Sequence, residues 1–177
     1  MAFYEQEVGT LIDSEKLQAR IRELGAQITR DYQGKELTLL VVLKGSVFFA
    51  TDLAKCIDLP LTLEFLGVSS YGGGTETTGE VRITLDATKP MAGKHLLVIE
   101  DIIDTGLTMS FLLENLRSRH PASVKVASLL EKPSRARTHV PIDYKGFVID
   151  DVFVVGYGLD YAEKYRNLPF IGAMKGK

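Results

Sequence analysis

Hydrophobic and polar residues follow one another along this chain in blocks that predict both helices and strands. Residues 13–33 carry apolar side chains at helical spacing, on a face formed by Leu17, Ile21, Leu24, Ile28 and Tyr32. Asp13 or Ser14 can cap the start of this helix, and Gly34 can end it. The continuous apolar run from Leu37 to Leu43 then predicts a strand that is covered on both faces.

The remaining pattern predicts parallel strands joined by helical crossovers. Apolar positions between Val47 and Ile57 indicate a helix, and the next strand is expected from Leu61 to Val68. Another helix is expected where Met109, Leu112, Leu113 and Leu116 recur at helical spacing. Further strands or short apolar segments are expected at 81–85, 96–99, 124–130, 147–149, 152–155 and 170–174. This order predicts an α/β fold with a mainly parallel central sheet flanked by helices.

Residues 69–80 interrupt the pattern with four glycines and no aliphatic side chain. Such a segment cannot contribute to a core, so it predicts a long loop. Loops of this length inside compact domains often act as lids, and the alternative is a hairpin tip without a function. We expect this loop to close over a bound ligand.

Length and charge bound the class of protein. A chain of 177 residues is enough for one domain, so we expect a single domain over residues 1–177, with a core of about 35–150. A small hood is expected from the C-terminal part of the chain and possibly from its N-terminus. The net charge of −2 indicates no general affinity for nucleic acid, and the short basic cluster from Lys132 to Arg137 is typical of solvated surface.

Targeting and cysteine content point to a reducing compartment. No apolar run approaches the roughly 20 residues that a membrane span needs, and the beginning of the chain, with Glu5 and Glu7, has no secretory pattern. Cys56 is the only cysteine, so no disulfide can form within the chain, and a cytoplasmic location is expected. Three isolated histidines and the lack of paired cysteines indicate no zinc site.

The stretch from Val98 to Thr108 concentrates the candidate chemistry. It follows the predicted strand 96–99 and precedes a helix, whose unpaired backbone N–H groups and dipole suit a phosphate. Thr105, Gly106 and Thr108 supply hydroxyls and a backbone that can curve closely around an anion. The local sequence therefore predicts an anion site at the start of this helix.

Acidic residues in the same stretch extend the prediction from a phosphate to a sugar phosphate. Glu100 and Asp101 stand beside the anion site, where they suit sugar hydroxyls, held directly or through a divalent metal. The combination indicates a ribose phosphate. The alternative is that Asp104 or Thr105 merely caps the helix and the other acids are solvated.

A second anion site is predicted where the strand Leu37–Leu43 ends. Lys44, Gly45 and Ser46 follow that strand directly and precede a helix, and ligands of open α/β sheets bind outside such strand ends. The alternative is an ordinary helix start with a surface lysine. Neither the G-x-x-x-x-G-K-[ST] nor the G-x-G-x-x-G phosphate motif is present, which argues against a nucleoside triphosphatase and a nicotinamide dehydrogenase.

Residues 98–108 resemble the phosphoribosyl-pyrophosphate motif of type I phosphoribosyltransferases, and the loop at Lys44 is similar to the pyrophosphate loop of the hypoxanthine-guanine branch. The resemblance covers roughly residues 37–170 and includes segments 69–71, 130–132, 151–161 and 165–168. It implies the type I phosphoribosyltransferase fold. It also implies transfer of 5-phosphoribosyl from phosphoribosyl pyrophosphate to hypoxanthine and/or guanine, which gives IMP or GMP and pyrophosphate.

The resemblance also implies a role for each matching residue. Asp104 would be catalytic, because it would take or share the proton on purine N7. The ribose 5-phosphate would contact Glu100, Asp101, Asp104, Thr105, Gly106, Leu107 and Thr108. Pyrophosphate would contact Lys44, Gly45 and Arg166, and Ser70 and Tyr71 would begin the closing loop. The purine would contact Lys132, Phe153, Val154 and Asp160, and Mg²⁺ would be held by Glu100, Asp101 and Asp160.

Partners and alternatives follow from the same resemblance. It implies phosphoribosyl pyrophosphate and a 6-oxopurine base as partners, and a homodimer or homotetramer. Leu107 departs from some relatives, which carry lysine there, and it leaves the phosphate to backbone and threonine contacts. A xanthine-preferring relative and a phosphoribosyltransferase-fold regulator remain alternatives. We expect neither nucleic acid nor membrane as a partner, since no helix-turn-helix segment or basic stripe is recognisable.

Overall fold

The computed structural model describes residues 8–70 and 81–175. Its longer elements, in chain order, are β1 (Val8–Ile12), α1 (Ser14–Asp31), β2 (Leu37–Leu43), α2 (Val47–Lys55), β3 (Leu61–Ser70), β4 (Val81–Leu85), β5 (His95–Ile103), α3 (Leu107–Arg117), β6 (Ser123–Glu131), β7 (Tyr144–Val148), β8 (Val154–Val155) and β9 (Ile171–Met174). A short 3₁₀ turn at Pro133–Arg135 follows β6.

A six-stranded sheet in the order β4-β3-β2-β5-β6-β7 forms the centre of the structure. All neighbouring strands in it are parallel except β4, which runs antiparallel to β3. The predicted α/β fold with a mainly parallel sheet is therefore confirmed. The residues of β2 are buried from Leu37 to Val42 because this strand lies between β3 and β5 and is covered on both faces.

Helices cover both faces of this sheet. Leu37, Leu39 and Val41 of β2 pack in one cluster with the apolar faces of α1 and α2. Leu40 and Val42 point to the other face and share a cluster with α3. The alternation of side chains along the strand thus divides the core between the two helical layers.

The first helix differs slightly from its predicted span of 13–33. Asp13 is its N-cap, and the side chain accepts a hydrogen bond from the Lys16 backbone N–H at 2.8 Å. The helix ends at Asp31, and Gly34 lies three residues further on with φ +74°. The left-handed turn thus comes after Tyr32 and Gln33 have already left the helix.

A separate three-stranded antiparallel sheet has the order β1-β9-β8. It joins the two ends of the described chain, since Val8 pairs with Met174. β1 was not predicted from the sequence. Only its first and last residues are buried, so its five residues show no alternation of apolar and polar side chains. That the whole chain forms one domain with a hood stays a prediction.

Residues 71–80 lie outside the described residues, and with them Tyr71. Ser70 is the last residue of β3, where it pairs with Val81 at the start of β4. The closing-loop roles of Ser70 and Tyr71 therefore stay predictions. Within residues 8–70 and 81–175, neither α1 nor the two shorter helices is long and apolar enough to cross a membrane.

Candidate active site

Three neighbouring parallel strands bring the predicted site residues to one edge of the sheet. Strands β2, β5 and β6 end at Leu43, Ile103 and Glu131, so the loops that follow them lie side by side. The Lys132 backbone N–H donates to the Ile103 carbonyl at 3.0 Å, which ties two of these loops together. The peptide bond between Leu43 and Lys44 is cis.

Two adjacent carboxylates lie near the end of β5. The strand continues to Ile103, so Glu100 and Asp101 are part of it and do not follow it. Glu100 Oε1 accepts from the Asp101 backbone N–H at 3.1 Å, and Asp101 Oδ1 accepts from Ile102 at 2.8 Å. Burial raises the pKa of Glu100 well above its usual value, and the charge of Asp101 raises it further. Among residues 8–70 and 81–175, no salt bridge reaches either carboxylate.

We expect Glu100→Gln to raise the melting temperature of the ligand-free protein at about pH 8, by roughly 2–4 °C for each kcal/mol gained. The pKa of Glu100 is raised in the folded state, so the stability that its protonated form contributes is lost as pH rises through that pKa. Below the pKa the wild-type carboxyl is neutral too, and the advantage of the amide should disappear. Thermal unfolding of both proteins over a pH series measures this, and an equal difference at every pH would contradict it.

The start of α3 forms a small cavity. Gly106 is the N-cap residue, with φ +80°, and a Cβ there would lie 2.4 Å from the Thr138 carbonyl oxygen. Asp104 does not cap the helix, because its carboxylate accepts from Arg135 Nε at 2.7 Å, while Thr105 Oγ1 accepts a long hydrogen bond of 3.5 Å from the Leu107 backbone N–H. The cavity has a volume of about 100 Å³, and its lining includes Glu100, Asp104, Thr105, Gly106 and Thr108.

Ion pairs connect the residues that were predicted to bind pyrophosphate. Lys44 Nζ lies 2.9 Å from a carboxylate oxygen of Glu163. Arg166 Nη2 lies 2.9 Å from Asp160 and 3.3 Å from Glu163, and its Nη1 donates to the Gly158 carbonyl at 2.7 Å. Lys44 and Arg166 thus pair with the same carboxylate, that of Glu163, although they are far apart in sequence.

Glycines allow the loop after β2 to approach the rest of the site. A Cβ on Gly45 would lie 1.6 Å from Asp101 Oδ2, so a larger residue there would have to displace that carboxylate. Gly158 has φ +102°, and its Cβ would lie 1.9 Å from the Gly45 carbonyl oxygen. The Gly158 segment therefore packs against the backbone of the loop at Gly45, and that loop lies against the Asp101 side chain of β5.

A larger cavity of about 600 Å³ adjoins these loops. Six predicted site residues are in its lining, namely Asp101, Asp104, Lys132, Phe153, Val154 and Asp160. The ring of Phe153 is partly exposed and meets Tyr161 edge to face at 5.7 Å. Lys132 is only 8% exposed, and its Nζ lies 3.5 Å from Asp151. The cavity thus combines an aromatic face with a cation and several carboxylates.

Three charged residues of the site were missed by the sequence analysis. Arg135 pairs with Asp104, Asp151 pairs with Lys132, and Glu163 pairs with Lys44 and Arg166. The interpretation of the basic cluster 132–137 as solvated surface is wrong for the buried Lys132, whereas Arg135 is exposed and also ion-paired. Asp151 and Glu163 lie within or beside the segments that carried the resemblance, which was the available signal.

The carboxylates fit a divalent metal in their chemistry but do not gather around one point. No group of three His, Cys, Asp or Glu side chains within the described ranges is placed to hold a metal ion. Asp160 is engaged by Arg166 at 2.9 Å. Glu100 and Asp101 are adjacent oxygen ligands without a salt bridge in the same ranges, and a cation would relieve the burial of their charge.

Fold and site define an α/β protein with a small cavity at the start of α3 and an adjoining cavity of mixed charge at the carboxyl ends of its parallel strands. Residues 7–162 match the family model of the phosphoribosyl transferase domain, and the chain belongs to this family. The resemblance predicted from residues 98–108 and the loop at Lys44 is thereby confirmed.

Similar proteins agree with this assignment. A hypoxanthine-guanine phosphoribosyltransferase of Mycobacterium avium is 49% identical over 170 residues, which cover 93% of this chain and 84% of that protein. A bifunctional protein TilS/HprT of Listeria monocytogenes is 49% identical over 165 residues, but the match spans only 26% of its length. The crystal structure of a hypoxanthine phosphoribosyltransferase from Staphylococcus aureus superposes with a TM-score of 0.94 and 47% identity, covering 99% of this chain and 95% of that one.

Proposed function

We propose that the protein is a purine salvage enzyme that transfers 5-phosphoribosyl from phosphoribosyl pyrophosphate to hypoxanthine and/or guanine. The observation that carries this proposal is the 600 Å³ cavity whose lining includes Asp104, Lys132 and Phe153 and which adjoins the anion loop. The family assignment and the names of similar proteins support it.

The bond changes of the reaction are simple. Purine N9 forms a bond to the sugar carbon while the bond from that carbon to a pyrophosphate oxygen breaks, and the electron pair leaves with pyrophosphate. Asp104 takes or shares the proton on purine N7 as N9 attacks. Lys44, Gly45 and Arg166 stabilise the departing negative charge. The backbone and hydroxyls of Thr105, Gly106, Leu107 and Thr108 hold the 5-phosphate.

The remaining residues orient the sugar and the base. Glu100 and Asp101 hold the ribose hydroxyls. Phe153 stacks on the base, and the Val154 backbone reads its edge. Mg²⁺ would supply Lewis-acid neutralisation of phosphate charge, and Glu100, Asp101 and Asp160 would hold it directly or through water.

A steady-state assay with hypoxanthine, guanine, xanthine and adenine tests the proposed function. Turnover of hypoxanthine or guanine to its nucleotide, with release of pyrophosphate, is the expected result. Turnover of xanthine alone would reassign the substrate, and no turnover of any of the four bases would overturn the proposal.

Lys132→Gln is expected to reduce the preference for hypoxanthine over adenine at least about tenfold. The Lys132 ammonium donates to O6 of a 6-oxopurine, whereas the amino group of adenine would meet it donor to donor. Steady-state kinetics with both bases and calorimetry with phosphoribosyl pyrophosphate measure the effect.

Lys125, a lysine within β6, offers a matched control for the residue that follows this strand. Lys125 lies over the rings of Tyr32 and Tyr144, at 5.9 and 5.5 Å from their centroids, near the other end of the strand. Lys125→Gln should leave base selection unchanged. If Lys132→Gln weakens the binding of phosphoribosyl pyrophosphate and leaves base selection unchanged, Lys132 contacts the phosphates and not the base.

We further propose a homodimer or homotetramer in the cytoplasm. Leu63 and Phe65 of β3 and Leu85 of β4 are exposed on one face near the edge of the sheet, and Phe48 of α2 is exposed as well. Apolar surface of this kind favours burial against another chain. Light scattering after size-exclusion chromatography measures the mass of the assembly, and the free Cys56 thiol suits a reducing compartment.

A further inference from the structure

Four charged side chains of alternating sign in the lining of the 600 Å³ cavity are linked by consecutive ion pairs. Asp104 Oδ1 lies 2.7 Å from Arg135 Nε, and Arg135 Nη1 lies 3.5 Å from Asp151 Oδ2. The other oxygen of Asp151 lies 3.5 Å from Lys132 Nζ. The two ends of the row, Asp104 and Lys132, are the side chains proposed to read N7 and O6, which are neighbouring atoms on one edge of the purine.

Arg135 determines how the Asp104 carboxylate is presented. It is the only ion-pair partner of Asp104 within residues 8–70 and 81–175, and it binds one oxygen of the carboxylate. A charge-assisted hydrogen bond of this length fixes the orientation of both groups. The second carboxylate oxygen of Asp104 has no ion-pair partner in the same ranges, and Asp104 is part of the cavity lining.

Asp151 is placed to orient the Lys132 ammonium group, as Arg135 is placed to orient the Asp104 carboxylate. The Lys132 side chain is 9% exposed, and an ammonium group that far from water needs a counter-ion. Asp151 is its one salt-bridge partner in the described part of the chain. Because Asp151 also meets Arg135, it fixes the separation of the two pairs.

We propose that Arg135 and Asp151 are positioning residues that orient an acceptor, Asp104, and a donor, Lys132, in the same cavity toward the N7–H and O6 of a 6-oxopurine. The inference rests on the proposed function. In this proposal Arg135 acts through Asp104, and Asp151 acts through Lys132. Adenine presents a donor where O6 would accept, so a fixed donor at Lys132 excludes it.

Arg135→Gln, made in the wild-type and in the Asp104→Asn backgrounds, tests the first half of the proposal. In the wild type, kcat with hypoxanthine should fall about 10- to 100-fold, with the KM for phosphoribosyl pyrophosphate within about twofold. In the Asp104→Asn background the same change should lower kcat by less than about twofold, because the group it positions is already inactive. Equal losses in both backgrounds would overturn the inference.

Asp151→Asn tests the second half through base selection. The preference for hypoxanthine over adenine should fall about tenfold in the wild type and stay within about twofold in the Lys132→Gln background. An unchanged preference in the wild type, or an equal fall in both backgrounds, would overturn the role of Asp151.

Neighbouring residues serve as matched controls. Arg137 and Asp150 are exposed, and no salt bridge involves either of them in the described part of the chain. Arg137→Gln and Asp150→Asn should retain wild-type kcat and base preference; losses equal to those of the test variants would overturn the inference. If the unaltered protein turns over none of the purines, both the proposed function and this inference fail. If the enzyme is active but the losses of kcat or base preference are the same in both backgrounds, only the positioning roles are rejected.

Discussion

Asparagine in place of Asp104 should lower kcat with hypoxanthine by about 10²- to 10⁴-fold and leave the fold intact. The amide has the shape of the carboxylate but cannot take the N7 proton. Asp104 is placed for this role because it follows β5 directly and lines both cavities of the site. Steady-state kinetics, with thermal unfolding to verify the fold, measure the effect.

A second aspartate provides the matched control for this prediction. Asp86 accepts from Arg119 at 2.7 and 2.8 Å, so it is also ion-paired with an arginine, but it lies outside the linings of both site cavities. Asp86→Asn should change kcat by less than about twofold. If Asp104→Asn stays within about threefold of wild type, Asp104 has no proton-transfer role.

Alanine in place of Gly158 should lower turnover at least about 100-fold, because displacing a loop by about 1 Å is enough to misplace reacting groups. Its Cβ would lie 1.9 Å from the Gly45 carbonyl oxygen. That atom belongs to the backbone and cannot rotate away, so the loop at Lys44 must shift. Gly158 also accepts from Arg166 at 2.7 Å, so both parts of the proposed pyrophosphate site move together.

Gly93→Ala separates this displacement from ordinary backbone strain. Gly93 has φ +74°, and a Cβ there would meet nothing within 4 Å. Both variants therefore share the left-handed strain of roughly 1–2 kcal/mol, but only Gly158→Ala disturbs the site. Comparable turnover of the two variants, at comparable melting temperatures, would show that the close contact with Gly45 is unimportant for activity.

Local patterns were sufficient for most of the central sheet and for the anion loop. The apolar run of β2, the helical spacing of Leu17 to Ile28, and the strand, turn and helix around Asp104 are each determined by adjacent residues. Apolar residues in strands and helices recur with a period of 2 or about 3.6 residues, so these elements can be predicted without knowledge of long-range contacts. Gly106 was predicted only as part of a backbone that curves around an anion, and its left-handed N-cap conformation was seen only in the structure.

Contacts between distant parts of the chain could not be read in this way. β1 is a strand only because Val8 pairs with Met174 at the other end of the described chain. Glycine is favoured at position 158 because its loop meets the Gly45 backbone, which nothing in either local sequence indicates.

The charges of the site show the same division. The sequence by itself predicted which segments would hold a sugar phosphate, pyrophosphate or a base, namely residues 98–108, the loop at Lys44 and the segment around Phe153. Tertiary structure decided which charge faces which. The loop after β6 brings the exposed Arg135 to Asp104. The same loop buries Lys132 beside Asp151. Ion pairing depends on distances of a few ångströms between side chains, and only the packed sheet sets those distances.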